Sequence, residues 1–449
     1  MVSLAEKMAA NMDMSAFSKA DELKRRLWFT VLALIVFRLG TFIPLPGIDP
    51  QILSEVFTRH SGGILGMFNM FSGGALSRMT IFALNIFPYI SASIIIQLGQ
   101  SVIPSLASLK KEGEAGQRKV THYTKVLTVL ITVIQGYGIA VGLESMSGDT
   151  GASAVVIPSF VFRFTTMVSL VGGTMFVVWL GDQITSRGVG NGSSLIITVG
   201  IIANIPNALA QTFELGRVGS MSFGVIALLL VMALALIYVI VFVERAQRKI
   251  IIQYPKRQMG MRMMSAESSH LPLKINPTGV IPPIFASSLL LLPITVANMS
   301  AQNGPSWVQT LSQWLGHGQP LYLVLYSFLI VFFSFFYTAV VFNPEDTADN
   351  LKKHGGFVAG IRPGKNTAEY LDYVITRLTV VGATYLTMLC ILPEVLISKL
   401  SVPFVLGGTT LLIVVQVTMD FVTQVQSHLI AYQYEGLIKK ASLVGKKRK

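Results

Sequence analysis

The sequence reads Met221-Ser-Phe-Gly-Val-Ile-Ala-Leu-Leu-Leu-Val-Met-Ala-Leu-Ala-Leu-Ile-Tyr-Val-Ile-Val-Phe-Val243 across a stretch of 23 residues without a charged side chain. About 20 apolar residues in a helix are enough to cross the hydrocarbon core of a bilayer. The chain of 449 residues is 52% hydrophobic and 13% charged, whereas a soluble domain carries about 25% charged residues. This composition excludes a soluble enzyme, a disordered chain and a secreted disulfide scaffold, and it predicts a membrane protein.

Ten stretches of this kind predict an all-α polytopic membrane protein with ten transmembrane helices. They cover residues 27–43, 79–103, 123–142, 159–180, 193–210, 221–243, 276–297, 321–342, 374–393 and 403–422. We divide them into an N-terminal half, residues 27–215, and a C-terminal half, residues 216–422. Five helices in each half would give two pseudo-symmetric halves of inverted orientation. The mixed-charge tail at residues 1–26 is unlike a cleavable signal peptide, so we expect the first span to be retained.

Basic residues indicate which side of the membrane each loop faces. The tails and alternate loops carry 27 Lys and Arg residues, and the opposite loops carry 3. The basic segments are 1–26, 104–122, 181–192, 244–275, 343–373 and 423–449. Cytoplasmic loops hold the excess of Lys and Arg in membrane proteins. The asymmetry therefore predicts that both termini, the loops 244–275 and 343–373, and a basic C-terminal tail at 423–449 are cytoplasmic.

A short apolar segment follows the first span, at about residues 62–74. Glycine pairs bound it, Gly62-Gly63 at one end and Gly73-Gly74 at the other, and its 13 residues are too few to span a bilayer. Two structures fit this length: an interfacial helix on the outer surface, or a re-entrant helix that dips into a cavity. Irregular backbone at membrane depth is tolerated only inside protein or beside water.

Polar residues recur at helical spacing in two neighbouring spans. They are Asn85, Tyr89, Ser93 and Gln97 in the first, and Thr124, Thr128, Thr132 and Gln135 in the second. Such side chains face other helices or water, because lipid offers them no partners. Hydrogen bonding between helices and an aqueous path both remain open. The span at 276–297 also holds three prolines in its first eight residues, which predicts a broken or kinked helix there.

The sequence shows no catalytic residues, metal-ligand spacing or cofactor motif. No carboxylate pair or His cluster lies in the middle of any predicted span, and the single cysteine, Cys390, has no partner for a disulfide. The nearest match to a phosphate-binding loop, residues 359–366, lacks the first Gly and the Ser or Thr that binds magnesium. We therefore expect neither an enzyme nor a resident cofactor, and any nucleotide-driven work must come from a partner.

The basic loop at 244–275 is a candidate surface for such a partner. Alternation of polar and apolar residues around Ile250–Tyr254 predicts a short hairpin that projects from the membrane. Its charge alone would serve to set topology, but about 30 residues are more than this needs. Basic side chains here could bind acidic protein surfaces or ribosomal RNA phosphates.

Several motifs along the chain resemble the SecY family of protein-conducting channels. They are Phe37-Arg-Leu-Gly-Thr-Phe-Ile-Pro-Leu-Pro-Gly-Ile-Asp49, Met67-Phe-Asn-Met-Phe-Ser-Gly-Gly-Ala-Leu-Ser-Arg78, Pro88-Tyr-Ile-Ser-Ala-Ser-Ile-Ile-Ile-Gln97, His270-Leu-Pro-Leu-Lys274, Gly279-Val-Ile-Pro282, Ile361-Arg-Pro-Gly364 and Thr418-Met-Asp-Phe421. They run in order from the first span to the last, so the resemblance covers nearly the whole chain.

The resemblance implies a channel with a constricted pore, a plug and a lateral gate. The pore constriction would consist of Ile86, Ile90, Ile197, Ile284 and Ile413, with Ser193 at a sixth position where the family usually has isoleucine. The plug would be the re-entrant helix and would include Gly62, Met67, Phe68, Asn69, Phe71 and Gly74. The lateral gate would carry Asn85, Ser91, Ser93, Gln97, Thr128, Thr132 and Ser287. Lys256, Arg257 and Arg362 would bind a cytoplasmic partner.

The function implied by this family is translocation of unfolded secretory polypeptides across the bacterial inner membrane and lateral release of transmembrane segments into lipid. Its partners would be the SecE and SecG membrane subunits, the SecA ATPase, the ribosome, and the secretory precursor with its signal peptide. The alternative is a small-solute secondary transporter with inverted five-helix repeats. The lack of an ionisable site at the midplane favours the channel, because ion-coupled transport needs such ligands.

Overall fold

The computed structural model describes residues 20–49, 53, 69, 72–145, 155, 160–219, 222–254, 258–259, 262–263, 268–300, 314, 319–400 and 407–446. Helices dominate this part of the chain. They are α1 (Asp21–Gly40), α2 (Phe87–Val102), α3 (Pro104–Lys111), α4 (Glu114–Ser145), α5 (Phe160–Arg187), α6 (Gly192–Arg217), α7 (Phe223–Arg245), α8 (Ile281–Ser300), α9 (Pro320–Val341), α10 (Pro344–Lys353), α11 (Lys365–Leu400) and α12 (Gly408–Lys446). The strands are β1 (Gln247–Gln253), β2 (Gln258–Met259), β3 (Arg262–Met263), β4 (Ser268–Lys274) and β5 (Phe357–Val358).

Seven helices among the described residues are long and apolar enough to cross a membrane. They are α4, α5, α6, α7, α9, α11 and α12, and they confirm seven of the ten predicted spans. The other three predicted spans coincide with α1, α2 and α8. Helix α1 carries four basic residues, and α2 has only 16 residues. Helix α8 has 20 residues and no charged side chain, with two prolines in its first turn.

The prediction of a helix from residue 79 was wrong, because α2 begins only at Phe87. Residues 72–86 form turns, and Met79 and Asn85 have φ values of +43° and +48°. Neither residue can continue a right-handed helix with a positive φ. Pro88 consequently lies in the first turn of α2, where a proline costs no backbone hydrogen bond.

The described chain divides into two compact units, and the first contains residues up to Ala92, His122–Asn207 and Ile413 onward. Helices α1 and α5 pack together in this unit through stacked rings, with Phe82 lying 6.0 Å from Phe37 and 5.8 Å from Phe176. The Thr30 hydroxyl in α1 accepts a 3.0 Å hydrogen bond from the backbone N–H of Val189, just after α5. Aromatic packing and this buried bond fix the first span against the fourth.

The second unit contains Ser93–Thr121 and Ala208–Leu412, and it includes the sheet. Strands β1 and β4 pair antiparallel from Gln247↔Lys274 to Gln253↔Ser268, and β5 pairs with the other edge of β1. This confirms the predicted hairpin, which is longer than the alternation indicated. A small apolar core joins the sheet to the first turns of α11. It consists of Ile250, Leu273, Val358, Leu371, Val374 and Ile375. The sheet is therefore fixed to the helix that follows it.

Candidate functional site: plug, gate and docking residues

The predicted plug lies mostly outside the described residues, including Gly62, Met67, Phe68 and Phe71. Asn69 and Gly74 are described, and both belong to a hydrogen-bonded turn. The Asn69 side-chain oxygen accepts a 2.8 Å bond from the N–H of Ser77, and its carbonyl accepts a 2.8 Å bond from the N–H of Gly74. Gly74 has a φ of +80°, which favours glycine. The chain thus leaves the predicted plug through a tightly bonded turn.

Two arginines hold this turn through one backbone carbonyl. Arg38 at the end of α1 donates to the Gly73 oxygen at 2.6 Å, and Arg78 donates to the same oxygen at 3.1 Å. Both guanidinium groups also lie over the Phe42 ring, at 5.0 and 4.1 Å from its centroid. Burial lowers the pKa of Arg78, and the charge of Arg38 lowers it further. This contact joins the end of α1 to the turn that follows the predicted plug.

The isoleucines predicted for the pore constriction fall in both units. Ile86, Ile197 and Ile413 are buried, whereas Ile90 and Ile284 are half-buried. Ile86 precedes α2 and Ile90 lies in its first turn, with the N–H of Ile90 bonded to the Ile86 carbonyl at 3.1 Å. Ile86, Ile90, Ile197 and Ile413 belong to the first unit, and Ile284 belongs to the second. Their common role in a constriction stays a prediction.

Ser193 lies at the start of α6, where that helix meets α5. A Cβ atom on Gly192 would collide with the Gly181 backbone, so the two chains pass in direct contact at this glycine pair. Ser193 itself is half-buried, and its hydroxyl is 3.5 Å from where a Cβ on Gly181 would lie. The close approach explains the glycine at position 192, directly before Ser193.

Several of the predicted gate residues form side-chain hydrogen bonds within their own helices. Thr128 and Thr132 each donate a 2.7 Å bond to the carbonyl four residues earlier, and Ser287 donates to the Ile284 carbonyl at 3.0 Å. Gln97 donates to the Ser93 hydroxyl at 3.0 Å within α2. Ser91 is buried in α2. Asn85 is buried before the helix begins, so the predicted row of four on one helix face was wrong at its first member.

The predicted partner-binding residues are only partly described. Lys256 and Arg257 lie outside the described residues. Arg362 is exposed in the turn between β5 and α11, and its carbonyl accepts a 2.9 Å bond from the Thr367 hydroxyl. Its neighbour Ile361 packs against the core of the sheet. The turn is consequently fixed at its base while the guanidinium group stays in solvent.

The comparisons with known proteins agree with these motifs. A family model described as SecY matches residues 80–422 of the chain. The chain belongs to the SecY family. Among SecY proteins, the protein translocase subunit SecY of Escherichia coli (strain K12) is 55% identical over 432 residues, which cover 96% of this chain and 97% of that protein. The protein translocase subunit SecY of Rickettsia conorii is 53% identical over 429 residues, covering 95% of this chain and 99% of that protein.

Solved structures show the SecY fold. A protein-conducting channel covers 91% of this chain and 93% of its own, with a TM-score of 0.66 at 16% identity. Sec61 from the canine ribosome–channel complex covers the same shares with a TM-score of 0.62 at 16% identity. Together with the membrane-spanning helices, these matches confirm the predicted all-α polytopic membrane protein.

Proposed function

We propose that this chain is the channel-forming subunit of a protein translocase in the bacterial inner membrane. It passes unfolded secretory polypeptides outward and releases transmembrane segments laterally into lipid. The observation that carries the proposal is 55% identity over 96% of the chain to a translocase subunit. Nothing in the comparisons supports the alternative of a small-solute secondary transporter. The 27 to 3 distribution of basic residues supports cytoplasmic N- and C-termini.

The pore is closed, in this proposal, by an apolar constriction and a plug. The constriction consists of Ile86, Ile90, Ile197, Ile284 and Ile413, with Ser193 at the sixth position. Branched apolar side chains need no hydrogen bonds with a sliding peptide, and a narrow apolar passage excludes water when it is empty. The plug at 62–74 and the gate residues named above follow from the same resemblance. Burial of Ile86, Ile197 and Ile413 is compatible with this role.

The partners in this proposal are SecE and SecG in the membrane, and SecA or the ribosome at the cytoplasmic loops. Two features support cytoplasmic docking: the basic hairpin of β1 and β4, and exposed Arg362 above an anchored turn. The canine Sec61 structure is a ribosome–channel complex, and a yeast Ssh1 complex is solved on the 80S ribosome. The secretory precursor with its signal peptide is the transported partner.

Reconstitution in liposomes tests the channel function directly. The chain, SecE, SecG and SecA are combined with ATP, and protection of a secretory precursor from added protease is measured. Ile413→Asn should raise ion leak, because a polar wall retains water in the constriction. Loss of about 1.4 kcal/mol from the closed state raises a minor open population about tenfold. Ile413→Leu is the matched control and should leave the leak unchanged. A folded parent that protects no precursor would contradict the channel function.

A charge reversal tests the docking surface. Arg362→Glu should weaken SecA binding at least about fivefold, because reversing one interfacial charge replaces attraction by repulsion. Lys353→Glu makes the same change at an exposed position of α10 in the same loop and serves as the control. Binding is measured on folded complexes in membranes. Equal affinity for the two variants would remove Arg362 from the docking surface.

A further inference from the structure

A buried polar cluster closes the base of the cytoplasmic hairpin. Strand pairing begins at Gln247↔Lys274, and the next bond toward the membrane runs from the N–H of Ile275 to the carbonyl of Ala246 at 3.2 Å. Just beyond it, the Asn276 amide donates to the Glu244 carboxylate at 2.6 Å. Thr278 donates its hydroxyl to the Asn276 side-chain oxygen at 3.0 Å. Glu244, Asn276 and Thr278 are called here the hairpin-base cluster.

All three side chains of the cluster are removed from solvent. Glu244 is 4% exposed, Asn276 is 1% exposed and Thr278 is 4% exposed. A buried carboxylate is expensive unless hydrogen bonds compensate for the lost water. Here the compensation includes a neutral amide from the turn that follows the hairpin. Because that amide is also bonded to Thr278, the cluster fixes one conformation of the turn.

Helix α11 packs directly on this turn. A Cβ atom on Gly382 would lie 3.2 Å from the Ile275 carbonyl oxygen and 3.5 Å from the Asn276 side-chain oxygen. The cluster thus joins three elements of the second unit: the end of α7, the turn after β4, and the middle of α11.

The same cluster sets the start of α8. The Asn276 amide donates to the Gly279 carbonyl at 3.2 Å, and Gly279 adopts a φ of +60° just before the helix. Phe285 in the first turns of α8 then packs edge-on against Phe333 of α9 at 5.7 Å. The direction in which α8 leaves the turn is therefore determined at one end by the cluster and further on by aromatic packing.

We propose that the hairpin-base cluster is a positioning device that holds α8 in its resting orientation. The inference rests on the proposed channel function, in which the family resemblance makes α8 one side of the lateral gate. Loss of the cluster frees the start of α8 and favours opening without a signal sequence. Because the cluster lies at the root of the docking hairpin, a partner that moves the hairpin acts on the same bonds.

Substitutions that exchange the carboxylate of Glu244 and the amide of Asn276 test the role of the cluster in the full translocase. Asn276→Asp replaces the donor by a second carboxylate facing Glu244. We expect it to raise the ratio of signal-defective to normal precursor export about tenfold, because like charges in a buried site repel. Glu244→Gln keeps an acceptor and should stay within about twofold of the parent. The double variant Glu244→Gln/Asn276→Asp restores one donor and one acceptor and should return to within about threefold.

Two controls and a second measurement make the test decisive. Asn350→Asp adds the same charge at an exposed site of α10 and should leave the ratio unchanged. If Asn276→Asp fails to insert, Thr278→Val removes one bond with little change of shape and should raise the ratio about threefold. Hydrogen exchange of amides 284–290 reports α8 without any transport and should speed up in the same variants. Parent-like ratios and exchange in a folded Asn276→Asp or Thr278→Val variant would overturn the cluster's role. A parent with normal exchange behaviour but no export would instead contradict the proposed function.

Discussion

Two glutamates at helix ends, half-buried Glu144 and buried Glu244, are compensated in different ways. Glu144 at the end of α4 receives three bonds from Arg163 of α5: Nε at 3.1 and 2.9 Å, and Nη2 at 2.6 Å. Glu244 at the end of α7 receives the Asn276 amide. The Arg163 side chain is 37% exposed and the Glu144 side chain 10% exposed. The comparison shows two solutions. An ion pair with partly exposed Arg163 joins α4 to α5, whereas the neutral Asn276 amide fixes a turn around Glu244, which is removed from solvent.

The largest loss of stability is expected at the buried Glu244–Asn276 pair. Asn276→Ala removes a donor from the Glu244 carboxylate and the acceptor from Thr278. Leaving buried polar groups without these bonds should cost about 1–3 kcal/mol of unfolding free energy. Thermal unfolding of the purified complex in detergent measures the loss, with Asn350→Ala as the exposed control. A melting temperature equal to that of Asn350→Ala would show that the Asn276 amide contributes no stability at Glu244, which contradicts the comparison.

A smaller effect is expected at the partly exposed ion pair. Arg163→Gln removes the charge but keeps an amide that can still donate to Glu144. The loss of thermal stability should be smaller than for Asn276→Ala, because exposed ion pairs contribute little. It should also shrink at high salt, since ions screen exposed charges. A loss that exceeds that of Asn276→Ala, or one that salt leaves unchanged, would reverse the comparison. Precursor export with a defective signal should remain at the parent level.

The smallest loss of stability is expected at Thr128, whose hydroxyl forms its hydrogen bond within a single helix. Thr128→Val keeps the branched shape and removes only the hydroxyl that bonds to the Thr124 carbonyl. That carbonyl lies inside α4 and still has the helix backbone as a partner, so the cost should be below about 1 kcal/mol. Melting temperature and ion conductance of the reconstituted channel measure the effect. A large rise in conductance would show that Thr128 faces the water path after all.

Composition and periodicity predicted most of the helices because lipid imposes a simple requirement. A charge-free run such as 221–243 has few alternatives to a spanning helix, and it became α7. The alternation around Ile250 likewise predicted the hairpin. The late start of α2 was missed because Met79 and Asn85 adopt positive φ without the glycine or proline that usually announces a turn.

Contacts between distant residues were the harder part of the site. Glu244 and Asn276 are 32 residues apart, and only the register of β1 with β4 brings them together. The two arginines on the Gly73 carbonyl depend on the fold of the turn at the end of the predicted plug, which the glycine pair marks in the sequence without indicating its partners. The threonine rows could have been foreseen, because a helical threonine commonly bonds to the carbonyl four residues earlier. The isoleucine constriction, the plug and the lateral gate stay predictions.

Helix α11 packs against the sheet near its start and continues into a candidate membrane span that reaches Pro393. Its 36 residues make it about 54 Å long, against about 30 Å of hydrocarbon. Near its start, α11 packs against the sheet through Leu371, Val374 and Ile375. About two helical turns further along, Gly382 contacts the turn that precedes α8. Residues 371–382 of α11 therefore connect the sheet to that turn through continuous helix. We expect a displacement of the sheet to be felt at that turn, because unbroken helix joins the two contacts.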